Sequence, residues 1–408
     1  MINDDFNTEQ PLIMHIDLNS AFATIEQQAR PLLRGKPVAI VNRLTVHTSI
    51  ITASYEAKQK GIKVGMRYKD AIRLLPNLVA LESDPAKYRY VYRKLMAILN
   101  DYSPHVVMKS IDEGVMDLHH LPTSPPLIKI GYDIKRRLRE EIGVAMRCNV
   151  GIGPNRFLAK TASGLNKPDG LDVIDATNLR ATYQSLKLTD LTGIAGAMEH
   201  RLNAVGIFTP LEFLDASQVI LEKIVFKSIC GKQWYKRLRG WEVDDLTFDT
   251  KTVGRQYVLE KRNLKYCEIT ARLHNLCESV GARLRSQHKL ARGVYVYART
   301  DEHKYWHASR MCQLPFYSDG TINSLAQQLF FNAPSGIREI GVHCYKLSDN
   351  ENEQISLFND QLVREQQLVG AIDAINQRFG DRMIHSANTL GIDGFVKQKV
   401  SFGSTRYL

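Results

Sequence analysis

Short apolar runs alternate with amphipathic stretches in the first part of the chain. The run LIMHIDL at 12–18 and the run PVAIVN at 37–42 have the length and the continuous apolar character of buried strands. Between them, residues 20–35 carry apolar side chains at helical spacing and stop at a glycine. The segments 54–62 and 67–76 each predict a short helix that is ended by glycine or proline.

The same alternation continues further along. Residues 85–103 predict a longer amphipathic helix that ends before a proline, and residues 127–142 predict another helix. The stretch VVMKSIDEGVMDL at 106–118 has the pattern of a β-hairpin, and MRCNVGIG at 146–153 predicts a further strand. Helices and strands that alternate on one sheet indicate an α/β or α+β core over about residues 10–175.

The pattern changes in the second half of the chain. Residues 188–214 predict two short helices joined by a glycine-containing turn, within a mainly helical stretch. Beyond it, VGRQYVL and GVYVYART predict strands, and the periodicity of 267–287 predicts a long helix. The polar, acidic stretch 348–361 has the composition of a flexible linker, and 366–380 predicts a final helix with a glycine cap.

Length and composition argue for a multidomain protein that is neither embedded in a membrane nor secreted. A chain of 408 residues is too long for one compact core, so two to four domains are expected. The chain has no apolar run of about 18 residues and starts with a polar segment, which argues against a membrane span and a secretory signal. Its six cysteines stand singly, without a CxxC pair, so neither a zinc site nor a disulfide framework is indicated. We therefore expect a cytoplasmic protein.

Charge is unevenly distributed along the chain. The net charge is +11, and residues 251–348 alone hold 15 basic against 7 acidic side chains. From residue 349 to the end, 8 acidic side chains face 6 basic ones. A basic block followed by an acidic tail indicates one region that meets phosphates, although a solvated basic face without a partner would give the same counts.

Two adjacent carboxylates stand in the predicted hairpin, where a plain turn would be expected. They are Asp112 and Glu113, and Asp17 ends the first predicted strand. Clustered carboxylates are unfavourable unless a cation neutralises them, and Mg²⁺ favours carboxylates together with substrate phosphates. Three such groups suit a pair of Mg²⁺ ions that activate a hydroxyl and stabilise a pyrophosphate leaving group. A solvated, structural turn is the alternative and, for the hairpin alone, the commoner one.

Candidate phosphate ligands occur in two further segments. Thr52, Tyr55 and Lys58 are predicted to lie along one helical turn, and they offer a hydroxyl, a phenol and an ammonium group to triphosphate oxygens. A surface helix without a ligand is the alternative. The segment VGIGPNRFLAKTASGLNKPDG holds two glycines and then Lys160 and Lys167, but an arginine replaces the third glycine of a dinucleotide fingerprint. A lysine that opens a helix beside an acidic metal site would be a phosphate partner.

Three motifs occur in a specific order and spacing. They are HIDLNSAFATIEQ, SIDEGVMDL and GIGPNRFLAKTASGLNKPDG. Together they resemble the motifs of the Y family of translesion DNA polymerases, most closely its polymerase IV branch, and the resemblance covers nearly the whole chain. It implies an α+β multidomain fold in the form of a right hand and a template-directed, error-prone DNA polymerase that acts on damaged templates.

The resemblance also divides the chain into domains. It assigns residues 10–19 and 83–174 to an α+β palm and 20–82 to small fingers. It assigns residues 175–243 to a helical thumb with a helix–hairpin–helix and 251–347 to an α/β little finger. Residues 348–408 would form a C-terminal tail.

The resemblance implies that the three carboxylates bind the catalytic metal ions. Asp17 and Asp112 would bridge two Mg²⁺ ions, for which Mn²⁺ is a candidate substitute, and the backbone carbonyl of Leu18 would complete the nucleotide-side ion. Glu113 would help to hold the ion that activates the primer 3′-hydroxyl. These residues would make the chain an active enzyme.

The nucleotide pocket follows from the same motifs. Phe22 would stand against the sugar and exclude a ribose 2′-hydroxyl, although a core aromatic on an amphipathic helix is the alternative. Tyr55, Lys58 and Lys160, with Thr52 beside them, would hold the triphosphate.

The chain departs from the family pattern at several positions. Lys58 stands where arginine is usual, so a bidentate fork becomes a point charge. Asn19 replaces a common second aspartate, which is not expected to be an essential ligand. Ala21 replaces an aromatic residue, and Gly114 and Val115 replace an Ala-Tyr pair.

Contacts to DNA and to a sliding clamp are implied as well. The turn Gly193-Ile194-Ala195-Gly196 resembles a helix–hairpin–helix that offers backbone N–H groups to a phosphate, although plain packing is the alternative. Candidate phosphate contacts of the little finger are Arg255, Lys289, Arg292 and Arg299. QISLF at 354–358 resembles the clamp-docking peptide of bacterial polymerases, with Gln354 in one pocket and Leu357 and Phe358 in an apolar one, although the Leu-Phe pair would equally begin the next helix.

The resemblance also implies binding partners, and two other functions are alternatives. We expect a bacterial, nucleoid-associated monomer that binds primer–template DNA, deoxynucleoside triphosphates and the sliding clamp. The closing FGSTRYL faintly resembles the end of the polymerase V catalytic subunit, which leaves accessory subunits open. A non-catalytic DNA-binding accessory factor is one alternative, and the retained carboxylates count against it. A nucleotidyl cyclase on a similar palm is the other, and the basic C-terminal region counts against it.

Overall fold

The computed structural model of the chain describes residues 6–121, 126–245, 249–349, 360–380 and 382–392. Contacts divide the chain into two compact units, one within residues 1–246 and one within residues 247–398. Each unit has its own helices, sheet and apolar core. The α+β multidomain class predicted from the sequence is confirmed, and the finer division of the first unit stays a prediction.

The first unit alternates strands and helices. In chain order its elements are β1 (Ile13–Leu18), α1 (Ala21–Ala29), β2 (Val38–Val41), β3 (Ile50–Ala53), α2 (Tyr55–Gln59), α3 (Tyr68–Leu74), β4 (Val79–Glu82), α4 (Pro85–Asn100), β5 (Val106–Met108), β6 (Glu113–Asp117), α5 (Leu127–Arg137), β7 (Cys148–Gly153), α6 (Arg156–Leu165), β8 (Leu171–Val173), α7 (Leu179–Ser185), α8 (Gly196–Asn203), α9 (Pro210–Asp215) and α10 (Cys230–Leu238). Short 3₁₀ turns lie at Pro31–Leu33 and Leu188–Asp190, and π-helical turns at Leu138–Ile142 and Ile220–Val225.

A five-stranded sheet in the order β5–β6–β1–β7–β8 forms the centre of this unit. β1 lies in the middle and pairs antiparallel with β6 and β7. All of its residues are buried except the half-buried Asp17, which explains the continuous apolar run of the sequence. β3–β2–β4 form a separate sheet. α7 to α10 share a core that includes Tyr183, Phe213 and Trp234.

The second unit is a four-stranded antiparallel sheet covered by helices. Its elements are β9 (Thr252–Val258), α11 (Tyr266–Ser286), β10 (Lys289–Thr300), β11 (Tyr305–Phe316), α12 (Asp319–Phe330), β12 (Ile337–Asp349), α13 (Asp360–Phe379) and a 3₁₀ turn at Ala387–Thr389. The strand order is β11–β10–β12–β9. α11 and α12 pack on one face through Leu276, Val294 and Val342, among others.

The C-terminal segment packs onto the second unit. Asp373 of α13 accepts a hydrogen bond from the Arg285 guanidinium at 2.6 Å. Arg382 pairs with Glu278, whose carboxylate also accepts the backbone N–H of Ser386 at 2.9 Å. Ile392 joins the apolar core. The predicted final helix is therefore confirmed, although it begins before residue 366.

The predicted helical hairpin at 188–214 differs in its first element. Only a 3₁₀ turn, Leu188–Asp190, precedes the loop, and its start is capped by the Asp190 carboxylate, which accepts the backbone N–H of Lys187 at 2.8 Å. Gly193 follows with a φ of 98°, which favours glycine and stops any helix there. Two helices, α8 and α9, then lie within the predicted segment. Among the described residues, no helix has the length and apolar composition needed to cross a bilayer.

Candidate active site

Strand register brings the three candidate carboxylates to one end of the central sheet. Asp17 on β1 lies directly opposite Glu113 on β6. The backbone N–H of Leu18 donates to the carbonyl oxygen of Asp112 at 2.9 Å, which fixes the turn before β6 against the end of β1. Register is strongly specified here because a slip of one residue would exchange the two faces of β1 and turn Asp17 towards the apolar core that holds Ile16 and Leu18.

Two lysines hold two of these carboxylates. Lys160 on α6 donates to the Glu113 carboxylate, and the Nζ of Lys167 lies 2.5 Å from the Asp17 carboxylate. From the sequence, Lys160 was predicted to bind the triphosphate and Lys167 had no predicted role. Lys167 lies two residues beyond the end of α6, so helical spacing from Lys160 does not locate it, and only its contact with Asp17 reveals its place in the site.

Asp112 differs from its two neighbours. Burial raises the pKa of Asp112, the charges of Asp17 and Glu113 raise it further, and a hydrogen bond from Ser110 Oγ at 2.5 Å opposes the rise. Within the described residues, no lysine or arginine pairs with Asp112. The described part of the chain therefore leaves the charge of Asp112 unbalanced.

Glu113 has the opposite tendency. Burial by itself would raise its pKa, but contacts from His15 and from Lys160 outweigh this and lower it to about 2. The His15 ring is almost fully buried on β1, with Nε2 at 3.4 Å from the Glu113 carboxylate, and burial lowers the pKa of His15. The neutral imidazole of His15 therefore lies beside the charged carboxylate of Glu113.

Two of the candidate triphosphate ligands, Tyr55 and Lys58, lie on α2. Ser54 caps α2 by accepting the backbone N–H of Ala57, which places Tyr55 and Lys58 in its first turn. The Nζ of Lys58 donates to Ser20 Oγ at 2.8 Å and lies 4.9 Å from the centre of the Tyr55 ring.

The electrostatic environment of these two residues links them to Asp17. Partial burial lowers the pKa of Lys58, and the charge of Lys167 lowers it further. Burial raises the pKa of Tyr55, and the charge of Asp17 adds to that rise. Lys58 therefore feels the charges of Lys167 and Asp17, and Tyr55 feels the charge of Asp17.

Thr52 is placed differently from the prediction. It does not share a helical turn with Tyr55 and Lys58, because it lies in β3 opposite Ile40. Its side chain is buried. The prediction of one helical turn was wrong, since the β-branched run of Ile50–Ala53 completes a sheet instead.

Phe22 lies on α1 and is 3% exposed. Its ring stacks on Tyr88 of α4, with centroids 4.0 Å apart and planes 4° from parallel. The ring is therefore held in one orientation by the core, and its fixed position would make it a rigid wall.

Asn19 has a structural role that was not predicted from the sequence. Its Nδ2 donates to Asn149 Oδ1 at 2.8 Å, and its Oδ1 accepts the backbone N–H of Asp169 at 2.8 Å. Asn149 in turn donates to the carbonyl oxygen of Asn166 at 3.1 Å. These bonds tie both ends of the short segment that carries Lys167 to the end of β1.

We expect Asn19→Ala to lower the free energy of unfolding by about 2 kcal/mol, because two buried hydrogen bonds at about 1 kcal/mol each are lost. Chemical denaturation of the variant beside the wild type measures the difference. Lys167→Ala, which leaves both bonds in place, should unfold close to the wild type. Equal stability of Asn19→Ala and the wild type would show that these bonds do not fasten the segment.

The candidate DNA ligands are dispersed. Gly193 packs against Trp234, Ile194 is buried in the helical core, Ala195 caps α8 and Gly196 begins it. In the second unit, Arg255 donates to Ser279, Lys289 pairs with Asp349 at 2.5 Å, and Arg292 donates to the Gln313 carbonyl at 3.4 Å. Arg299 lies 5.6 Å from the Tyr305 ring. Gln354, Leu357 and Phe358 lie outside the described residues.

The carboxylates fit a hard cation chemically. In the part of the chain that the structure describes, no three His, Cys, Asp or Glu side chains converge closely enough to hold a metal ion as they stand. Lysine ammonium groups, which are cations themselves, contact Asp17 and Glu113, and none of the described lysines and arginines pairs with Asp112. An oxygen-only set with unbalanced negative charge is the kind of site that Mg²⁺ prefers.

Comparison with known sequences gives the family. Residues 16–164 match the impB/mucB/samB family, and residues 250–357 match the C-terminal domain of that family. The DNA polymerase IV of Moorella thermoacetica is 33% identical over 395 residues, which cover 93% of this chain and 96% of that protein. The DNA polymerase IV of Pelotomaculum thermopropionicum is 30% identical over 400 residues, covering 95% and 97%.

Comparison with solved structures gives the fold. A Y-family DNA polymerase chimera superposes with a TM-score of 0.71 at 22% identity and covers 83% of this chain and 99% of its own. An insertion ternary complex of the Dbh DNA polymerase gives a TM-score of 0.58 at 22% identity, with the same coverage of both chains. The right-hand fold predicted from the motifs is confirmed. The chain therefore belongs to the impB/mucB/samB family and, within it, to the polymerase IV group of Y-family translesion DNA polymerases.

Proposed function

We propose that this DNA-directed DNA polymerase joins a primer 3′-hydroxyl to the α-phosphate of an incoming deoxynucleoside triphosphate at Asp17, Asp112 and Glu113. The observation that carries the proposal is the strand register, which sets Asp17 opposite Glu113 and Asp112 beside Leu18. Extension of a labelled primer with all four deoxynucleotides and Mg²⁺ tests it. Binding of primer–template without any extension, with or without a clamp, would favour a non-catalytic accessory factor instead.

Membership of the family implies a requirement for a divalent metal. We assign two Mg²⁺ ions, with Mn²⁺ as a substitute, to the three carboxylates and the Leu18 carbonyl oxygen. When bound, the ions would acidify the 3′-hydroxyl and neutralise the departing pyrophosphate. Extension should disappear with EDTA, return with Mg²⁺ or Mn²⁺, and depend on more than one ion in a metal titration. A first-order dependence on Mg²⁺ would contradict the two-ion assignment.

Basic side chains would receive the triphosphate. Tyr55 and Lys58 lie together on α2, where both feel the charge of Asp17. Lys160 and Lys167 contact the Glu113 and Asp17 carboxylates, which would bind the metal. We add Lys167 to the predicted ligands for this reason. Once released by their carboxylates, both lysines would have ammonium groups free for phosphate oxygens. Thr52 is buried on β3, so its side chain would pack behind the site rather than contact the triphosphate.

We expect Lys58→Ala to raise the KM for deoxynucleoside triphosphates about tenfold, because one charge-assisted hydrogen bond contributes about 1.5–3 kcal/mol. Lys58→Arg should keep or lower the KM, since a guanidinium can bind phosphate with two parallel bonds. Single-nucleotide insertion kinetics measure both. Lys60→Ala, which changes an exposed lysine two residues further on, is the matched control. Equal effects of the Lys58 and Lys60 changes would refute a specific contact.

DNA contacts are proposed at two places. The loop Gly193–Gly196 would offer backbone N–H groups to a phosphate, and the basic residues Arg255, Lys289, Arg292 and Arg299 would add charge in the second unit. Because its substrate is DNA, we place the enzyme at the nucleoid, acting as a monomer.

Residues 354–358 would tether the enzyme to the sliding clamp. Tethering raises the local concentration of enzyme at the primer end without any new contact at the site. Deletion of these five residues should abolish stimulation by the clamp and spare synthesis without the clamp. Primer extension with and without clamp measures this. Loss of clamp-independent synthesis to the same extent would contradict a docking role.

A further inference from the structure

A buried lysine on α5 lies beneath the segment that carries Lys167. Lys135 is 6% exposed and belongs to the face of α5 that packs on the central sheet. One helical turn before it, Gly131 lies so close to β8 that a Cβ atom there would be 2.7 Å from the Leu171 side chain. Because side chains four residues apart share a helix face, Lys135 lies against the residues that come just before β8.

The ammonium group of Lys135 contacts oxygens of two consecutive residues. Its Nζ donates to the carbonyl oxygen of Asp169 and, at 3.1 Å, to that of Gly170. The same Nζ lies 3.2 Å from Oδ1 of the Asp169 carboxylate. An ammonium group has three N–H donors and no acceptor, so the number of oxygens around it equals the number of its donors.

These oxygens belong to a tight turn at 166–170, which we name the anchored turn. Asp169 has a φ of 62°, a left-handed conformation that residues other than glycine seldom adopt. At Gly170, a Cβ atom would lie 2.2 Å from the carbonyl oxygen of Asn166, so the turn folds closely back on itself. A backbone conformation of this kind persists only where surrounding contacts hold it.

The anchored turn is held from two sides. Asn19, next to β1, accepts the backbone N–H of Asp169 at 2.8 Å, and Asn149 on β7 donates to the carbonyl oxygen of residue 166 at 3.1 Å. On the helical side, Lys135 contacts residues 169 and 170, and Nη2 of Arg139 lies 2.5 Å from the Asp169 carboxylate. The backbone on both sides of residue 167 is therefore fixed.

A charge at the position of Lys135 is not explained by stability. The other side chains on the buried face of α5 and just after it are apolar, namely Ile130, Ile134 and Leu138. Taking a charge out of water is unfavourable, and well-packed apolar residues often stabilise a core as well as a buried ion pair does. An apolar side chain would fill the same space but would offer no donor to the anchored turn. The ammonium group therefore selects the conformation of that turn.

We propose that Lys135 is a positioning residue for the incoming nucleotide, because it sets the anchored turn so that Lys167 presents its ammonium group to the triphosphate. The Nζ of Lys167 lies 2.5 Å from the Asp17 carboxylate, at the edge of the metal site. The proposal rests on the proposed function, in which Lys167 is a phosphate ligand. Lys135 acts through the turn and not by contact with the nucleotide, and a small displacement of the turn would be sufficient to weaken the phosphate contact.

The test measures binding of dATP to the full-length chain on a primer–template that has thymine at the pairing position. The primer ends in a dideoxynucleotide, so that no bond can form, and a fluorophore on the template reports binding in the presence of Mg²⁺. Lys135→Met removes the ammonium group and keeps the length of the side chain. We expect it to raise the Kd for dATP about tenfold, which is the size of losing one charge-assisted hydrogen bond. The Kd for primer–template should stay at the wild-type value.

Arg136→Ala is the matched control. Arg136 is the next cation on α5, is exposed, and pairs with the nearby carboxylates of Asp133 and Glu140. Its removal should leave the Kd for dATP unchanged. An equal rise in the Lys135 and Arg136 variants would overturn the proposal, since it would show that any cation of this helix has the same effect.

A double variant separates positioning from a general structural role. In a Lys167→Ala background, Lys135→Met should add nothing to the Kd for dATP, because the group that it positions is gone. A further tenfold rise in that background would overturn the proposal. It would also be overturned by a wild-type Kd for dATP in Lys135→Met, or by an equal loss of affinity for primer–template.

Thermal unfolding establishes whether Lys135→Met is folded. If it is not, Arg139→Ala decides, because the Arg139 side chain is 44% exposed and its removal leaves the core intact. This variant should raise the Kd for dATP about threefold, as expected for losing an exposed ion pair, and only while Lys167 is present. A wild-type Kd would overturn the proposal. Failure of dATP to bind the wild type would instead overturn the proposed function, and the role of Lys135 with it.

Discussion

Asp112→Asn is expected to abolish primer extension, with turnover falling by at least about 1000-fold while affinity for primer–template is unchanged. A fall of that size corresponds to about 4 kcal/mol of lost transition-state stabilisation, which is the scale of removing a charge that positions catalytic cations. Asparagine has the same shape as aspartate, so the change removes charge and little else. Single-turnover insertion with saturating nucleotide and metal measures the loss.

The same substitution should not destabilise the fold. Because burial and its like-charged neighbours raise the pKa of Asp112, its ionised form is less favourable in the folded chain than in the unfolded chain. The resulting destabilisation is absent at low pH, where the group is protonated in both states, and is complete above the folded-state pKa. Without metal at pH 7, Asp112→Asn should therefore unfold at the same temperature as the wild type or at a higher one.

Asp117→Asn is the matched control for this prediction. Asp117 lies at the other end of β6, where its side chain pairs with His119 rather than with the site. Extension by this variant should be close to that of the wild type. If Asp112→Asn extended primers at more than a few per cent of the wild-type rate, Asp112 would not be a metal ligand.

Phe22→Leu should lower discrimination against ribonucleotides about 100-fold. The Phe22 ring is fixed by its stack on Tyr88, so its edge can act as an unyielding wall, and steric selection of this kind is worth about 1–3 kcal/mol. Leucine keeps apolar volume in the core, whereas alanine would cost about 3–5 kcal/mol of stability at this buried position. The ratio of kcat/KM for one deoxynucleotide to that for its ribonucleotide measures the effect.

Tyr88→Phe provides the control for Phe22. It retains the stacked ring and removes only the hydroxyl that contacts Glu26 at 3.4 Å. Discrimination should not change in this variant. If Phe22→Leu kept full discrimination and melted normally, Phe22 would be a core residue without a role in sugar selection, which is the alternative that the sequence left open.

The local pattern of apolar and polar residues was sufficient to predict the strands that position the site. β1, β6 and β7 were predictable because each is a short apolar run, and the two hairpin carboxylates stood out because they break that pattern. The helix α2 was predicted at 54–62 and begins at Tyr55, but its first turn was taken to extend back to Thr52. Thr52 was therefore assigned to a turn when it belongs to β3, since a β-branched residue before a capping serine fits either element.

The sequence by itself determined the family, the fold class and which three carboxylates are candidates for the metal site, because specific motifs and apolar periodicity are local properties. Only the tertiary structure decided which lysine holds which carboxylate and that Asn19 fastens the segment of Lys167. It also decided that Gly341, Gly293 and Gly254 lie opposite the rings of Tyr297, Tyr345 and His343 on neighbouring strands. The physical reason is that these contacts join residues far apart in the chain, and their geometry depends on strand register and helix packing, which no local pattern specifies.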